Sequence, residues 1–164
     1  MPSRKIEDCV QVLQQAWVDA SHTYAVFYPD APQPFLTCTH RTEAEQLELY
    51  AQGRTKPGKI VTNAKGGQSY HNYGLAIDIV LLVDRDKNGS FETASWDAKT
   101  DFDGDGKADW IEVVAIFKRH GWEWGGDWRF VDQPHFQKTF GFSIVQLRKM
   151  HNENKVDQNG FVKI

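Results

Sequence analysis

The sequence predicts an α+β fold on three observations. Apolar residues recur at three- and four-residue steps in some segments. Other apolar or aromatic runs are short and of strand length. The two kinds of segment are mixed without the regular strand–helix alternation of a parallel α/β protein. A length of 164 residues fits one domain with a real core, and 40% apolar against 25% charged residues is an ordinary globular balance.

In chain order, Ser3 is placed to cap a first helix reaching about Ala20, with Ile6, Cys9, Val10, Leu13, Ala16 and Trp17 as its apolar stripe. Prolines break the segment from Tyr28 to Pro34 into a loop, and Phe35 to Thr39 is a short strand. Thr42 and Glu45 form a capping box that opens a helix through Tyr50, ended by Gly53. A loop over residues 54–70 leads to the aliphatic run Leu75 to Val83, interrupted by Asp78, which is the best strand in the chain. Residues 84–109 are polar and rich in Asp and Gly. A helix from Trp110 to His120 stops at Gly121. Trp122 to Phe136 reads as strand, glycine turn and strand, and Ser143 caps a last helix carrying Ile144, Leu147 and Met150.

Composition excludes several classes of partner. A net charge of −3 with scattered Lys and Arg gives no basic face for nucleic acid. No apolar run approaches the ~20 residues that span a bilayer. Cys9 and Cys38 are too few for a disulfide framework and read as small core residues. The start of the chain has Glu7 and Asp8 where a signal peptide would be apolar, so synthesis in the cytoplasm without a secretory leader is expected.

An unpaired carboxylate at Asp78, inside an aliphatic strand, would cost several kcal/mol, so it needs a cation, hydrogen bonds or an exposed face. His71 precedes it in Ser69-Tyr-His-Asn-Tyr-Gly74, and His135 closes Asp132-Gln-Pro-His135. Two imidazoles and one carboxylate leave a fourth tetrahedral position for water, as in a catalytic zinc site. On spacing alone the metal site is the minority reading, and a hydrogen-bonded structural aspartate with packed histidines accounts better for these residues.

The motifs together carry further. Thr39-x-Arg41-Thr42-x-x-Glu45-Gln46, Ser69-x-His71-x-x-Gly74-x-Ala76-x-Asp78, Trp124-Gly-Gly-Asp-Trp128 and Asp132-x-Pro-His135-Phe136 occur in order over about residues 36–142. This set resembles the LAS-type zinc peptidases, which include D-alanyl-D-alanine carboxypeptidases and dipeptidases and L-alanyl-D-glutamate endopeptidases such as many phage endolysins. The resemblance implies a small antiparallel sheet packed with helices and a zinc site at the sheet, as in Hedgehog and DD-peptidase folds. It implies zinc ligands at His71, Asp78 and His135, a catalytic carboxylate at Asp132 and a substrate-orienting arginine at Arg41. Ser69 and Asp127 are further candidate substrate contacts. The Asp-x-Pro-His-Phe form of the last motif is similar to the endopeptidase branch. The implied partner is the peptidoglycan stem peptide, cut in the periplasm or at the wall by a monomer delivered through phage lysis or dedicated secretion. The alternatives are a D-alanyl-D-alanine carboxypeptidase or dipeptidase on the same scaffold, and a non-catalytic zinc- and calcium-containing binding module.

A second metal is expected from spacing. Asp101, Asp103, Asp105, Asp109 and Glu112 occupy positions 1, 3, 5, 9 and 12 of an EF-hand-like calcium loop, with Gly106 at position 6 and the Lys107 carbonyl at position 7. The bland alternative is a solvated Asp/Gly loop. Asp84, Asp86, Asn88 and Gly89 begin a similar loop but meet Ser95 where the bidentate Glu should stand, so they read as a turn. The organisation expected is one peptidase domain, residues 1–164, with a calcium-loop insertion at about 84–112.

Overall fold

The computed structural model describes all residues, 1–164. It is α+β, with four α-helices, Gln11–Phe27 (α1), Glu43–Ala51 (α2), Asp109–Arg119 (α3) and Ile144–Asn152 (α4). The strands are Gln33–Cys38 (β1), Ala76–Val83 (β2), Thr93–Ser95 (β3), Glu123–Trp124 (β4) and His135–Gln137 (β5). They form one sheet in the order β1-β2-β5-β4, with β3 paired to β2. The β2–β3 and β4–β5 pairs are antiparallel, registering Leu81 with Ser95 and Glu123 with Gln137. No helix is long and apolar enough to cross a membrane.

The chain divides into two compact units, residues 1–14, 38–77 and 138–164, and residues 15–37 and 78–137. The second unit holds most of the sheet and an aromatic core. Phe117 of α3 is central there, with ring centroids 5.7 Å from Trp17, 5.6 Å from Trp122 and 5.1 Å from Phe136. Tyr24 and Trp110 are also fully buried, and the Tyr24 hydroxyl donates to the Pro32 carbonyl at 3.1 Å.

In the first unit, α2 begins with the capping box read from sequence: the Glu45 amide donates to Thr42 Oγ1 at 3.2 Å, and the Thr42 amide donates to Glu45 Oε2 at 3.0 Å. Ser143 caps α4 in the same manner. Gly74 ends the turn Tyr70–Tyr73 with φ +66°, a left-handed conformation that a side chain disfavours. There is also little room for a side chain, because an added Cβ would lie 3.0 Å from the Phe161 ring and 3.1 Å from Cys9 Cα.

The first helix differs from expectation. Ser3 caps nothing; its hydroxyl donates to Asp8 Oδ2 at 2.5 Å, and a short 3-10 turn at Ile6–Asp8 precedes a helix that starts at Gln11 and ends at Phe27. The Ser3 backbone is instead extended beside residues 39 and 40, accepting from the Thr39 amide at 2.8 Å and donating to the His40 carbonyl at 2.9 Å. Strand β3 lies in a segment read as polar loop. Cys9 and Cys38 are buried and free, as their reading as core residues requires.

Candidate active site

In the second unit, Asp78 comes from β2 and His135 opens β5. The Ile79 amide donates to the Pro134 carbonyl at 3.0 Å, which fixes the approach of the two strands at this point. His135 Nδ1 lies 3.3 Å from Asp78 Oδ1, with both side chains largely buried. Its other ring nitrogen, Nε2, is 3.1 Å from Gln137 Oε1, and the Trp128 ring packs on the imidazole at 4.9 Å. A buried imidazole beside a carboxylate is a donor pair suited to a divalent metal ion, and it answers the question raised by a carboxylate inside an aliphatic strand.

Asp132 is set by the same turn. Its amide donates to the Gly125 carbonyl at 2.9 Å, and its carbonyl accepts from the His135 amide at 3.2 Å. Gly125 is required for this proximity: a Cβ there would stand 2.4 Å from the Asp132 carbonyl oxygen and 3.1 Å from both the Asp132 and His135 Cβ atoms. The Trp124 indole N–H donates to the Gln133 carbonyl at 2.7 Å, closing the loop from the other side. Asp127 is exposed and paired with Lys118 at 2.5 Å, so any contact with substrate would have to compete with that ion pair.

In the first unit, His71 is buried on the turn Tyr70–Tyr73, whose start is capped by Ser69: the His71 amide donates to Ser69 Oγ at 3.3 Å. His71 Nδ1 lies 2.6 Å from the Thr39 carbonyl oxygen. That oxygen only accepts, so Nδ1 carries the proton and Nε2 keeps the lone pair. Arg41 is aligned from two sides, donating from Nη1 to Gln46 Oε1 at 2.9 Å and from Nη2 to Cys38 Sγ at 3.2 Å, while its amide donates to the His71 carbonyl at 3.1 Å. Gln46, fully buried, also donates to the Ala64 carbonyl at 2.8 Å. Gln46 stands in the first motif but carried no role in the sequence reading, and Gln137, whose Oε1 faces His135, was not singled out there.

The acidic loop lies in the second unit and closes on itself. Asp101, Asp103 and Asp105 form one group with carboxylate oxygens within 4.8 Å of one another, and Asp103, Asp109 and Glu112 form another, so Asp103 belongs to both. Backbone amides of Gly104 and Gly106 donate to Asp101, that of Asp105 to Asp103, and that of Lys107 to Asp105. Asp109 Oδ1 and both Glu112 carboxylate oxygens are buried with no hydrogen-bond partner. Burial first, and then the negative charges of Asp105 and Asp103, push the Glu112 carboxyl up to about 7. Tyr28 stands near enough to oppose this in part without forming a well-made bond to it. Orphaned buried carboxylate oxygens facing other carboxylates are what a hard divalent cation satisfies. Around Asp84 the chain is a turn, as expected, with the amides of Asn88 and Gly89 donating to its carboxylate.

The chain is similar to known proteins in both sequence and fold. Residues 62–138, which bear His71, Asp78, Asp132 and His135, match the family model described as D-alanyl-D-alanine carboxypeptidase. The chain is 57% identical over 98 residues to the peptidoglycan L-alanyl-D-glutamate endopeptidase CwlK of Bacillus subtilis (strain 168), covering 59% of this chain and 55% of that protein. It is 34% identical over 100 residues to the L-alanyl-D-glutamate peptidase of Listeria phage A118, covering 58% of this chain and 31% of that one. The chain thus spans about half, or less, of the length of these relatives. The crystal structure of the Serratia marcescens L-Ala D-Glu endopeptidase ChiX has the same fold, with a TM-score of 0.54 at 19% identity, covering 85% of this chain and 90% of that one. The resemblance read from the motifs is borne out.

Proposed function

We propose that this chain is a zinc-dependent peptidase that hydrolyses the L-alanyl-D-glutamyl bond of peptidoglycan stem peptides, with residues 1–164 acting as one catalytic domain. The observation that carries the reading is the buried Asp78–His135 pair at 3.3 Å, inside the segment that matches the peptidase family. His71, Asp78 and His135 would hold the ion. The chemistry zinc supplies is Lewis acidity, which activates water and a scissile carbonyl at neutral pH.

The remaining roles belong to the chain. Asp132 takes the proton of the attacking water and returns it to the departing amine as the peptide C–N bond breaks. Its backbone tie to Gly125 holds it in the turn that ends at His135. Arg41, always charged and braced by Gln46, steadies the developing oxyanion or clamps the carboxylate of a D-glutamyl residue. Ser69 holds the turn that presents His71, and Asp127 offers a contact at the substrate's edge once released from Lys118. Asp101, Asp103, Asp105, Asp109, Glu112 and the Lys107 carbonyl would bind calcium and order the insertion at about residues 84–112. Support for this comes from the orphaned Glu112 and Asp109 oxygens.

The name of the matching family favours a second reading, removal of a terminal D-alanine. Mass spectrometry of purified muropeptides after digestion separates the two, since one releases products ending at L-alanine and the other releases D-alanine. Asp132→Ala should retain zinc and lose hydrolysis, whereas His71→Ala should lose both. Near-parental cleavage by the Asp132 variant would remove its assigned role.

A further inference from the structure

The ring of His135 has two nitrogens, and only Nδ1 faces Asp78, 3.3 Å from its Oδ1. We propose that Gln137, pinned by Glu123, is the positioning residue that reserves Nε2 of His135 for a proton and leaves Nδ1 as the nitrogen that faces Asp78 and the metal. This rests on the reading of His135 as a metal ligand and extends it to two residues outside the motif.

The argument runs from the outer end of the chain of contacts inward. Glu123 and Gln137 are directly opposite each other in the β4–β5 pair, so their side chains share one face of the sheet. Gln137 Nε2 donates to Glu123 Oε2 at 2.9 Å. An ionised carboxylate accepts and never donates, so the amide cannot turn over without setting oxygen against oxygen. Gln137 Oε1 is thereby held toward His135 Nε2, 3.1 Å away. An amide oxygen also accepts only, so Nε2 must carry a hydrogen. The Nδ1 lone pair is then the one available to an ion beside Asp78 Oδ1.

Burial makes the arrangement compulsory. His135 and Gln137 are each 6% exposed, which leaves little water to replace a lost partner. Glu123 lies at the exposed end of this line of contacts. His71 is set in the opposite sense, with Nδ1 on the Thr39 carbonyl, so that Nε2 carries the lone pair. The two histidines therefore offer different ring nitrogens, each fixed by an acceptor on the other side of the ring. Such outer partners orient a ligating imidazole and raise its basicity.

Zinc affinity, measured by competition with a chromogenic chelator, tests this without reference to turnover. Gln137→Leu is expected to weaken zinc binding by about 10–100-fold, the usual effect of losing such a partner. The exchanged pair Glu123→Gln/Gln137→Glu keeps an acceptor facing His135 and a donor–acceptor bond behind it, and should recover most of the loss. In zinc-loaded protein, nitrogen–proton correlation spectra should show the His135 ring proton on Nε2. A ring proton on Nδ1, or parental zinc affinity in Gln137→Leu, would overturn the proposal. The same holds if the exchanged pair binds no better than the single variant while its melting temperature without zinc matches the parent. A parent protein that binds no zinc would instead remove the metal reading itself.

Discussion

Glu112 makes the calcium reading quantitative. Its carboxyl is pushed from 4.5 to about 7 because it is buried beside Asp105 and Asp103. In the calcium-free folded state it keeps its proton where the unfolded chain has lost it. Stability is therefore undiminished below about pH 4.5 and declines as pH rises to about 7, above which Glu112 adds no further change. The full shift corresponds to on the order of 3 kcal/mol, or roughly 10 °C in Tm for a chain of this size. Carboxylates held low, such as Asp84, Asp97 and Asp101, titrate beneath this window. His40, held low by burial, acts in the opposite sense as it loses its proton. Asp103 and Asp109, also pushed up by burial and by neighbouring carboxylates, act in the same sense as Glu112. The comparison must therefore be with Glu112→Gln, which keeps these groups and His40 and removes only the Glu112 carboxyl. Scanning calorimetry in a calcium chelator, at pH 5 and pH 7.5, should show the parent losing several degrees relative to the variant at the higher pH. Millimolar calcium should restore the parent at pH 7.5 and do little for the variant. Parallel profiles for the two proteins without calcium would refute the account of Glu112, and a calcium effect of equal size in both would refute its place among the ligands.

Two glycines provide further tests. Gly125→Ala puts a methyl group into the Asp132 carbonyl and against His135; activity should fall by about 100-fold, as for a misplacement on the ångström scale, and zinc affinity should fall with it. Gly74→Ala combines a positive φ with contacts to Phe161 and Cys9, and should lower stability by about 1–3 kcal/mol in denaturant titration.

Elements whose signal is local were legible in the sequence. The capping boxes at Thr42 and Ser143 need only a hydroxyl and a partner three residues on, and both helices begin where those residues stand. The aliphatic run around Asp78 is strand because nothing but a sheet buries such a sequence on both faces, and β2 is buried at six of its eight positions. Where partners are distant, the reading failed. Ser3 has the chemistry of a cap, yet residues 39 and 40 take its backbone into an extended pairing, and the helix starts eight residues later. Thr93–Ser95 has no apolar run, and it is a strand because Leu81 to Val83 offer it an edge. The far end of α1 continues through Ser21, His22 and Thr23, poor helix formers, because Tyr24 is wholly buried there.

The same division runs through the site. Residue type and order suffice to nominate His71, Asp78, Asp132 and His135, because metal and proton chemistry restrict which side chains serve. Which nitrogen of a histidine serves is not a property of the residue. For His71 it is decided by the backbone carbonyl of Thr39, 32 positions earlier in the chain. For His135 it is decided by a glutamine two residues on, whose own orientation depends on a glutamate across the strand pair. Gln137 in isolation looks like any polar residue on a strand, and only the register that sets Glu123 against it gives its amide a direction. A motif can therefore nominate the candidate ligands of this site, whereas their protonation is written in strand register. A relative that keeps the histidine but shifts the β4–β5 register by one residue would present the wrong face of the strand to it.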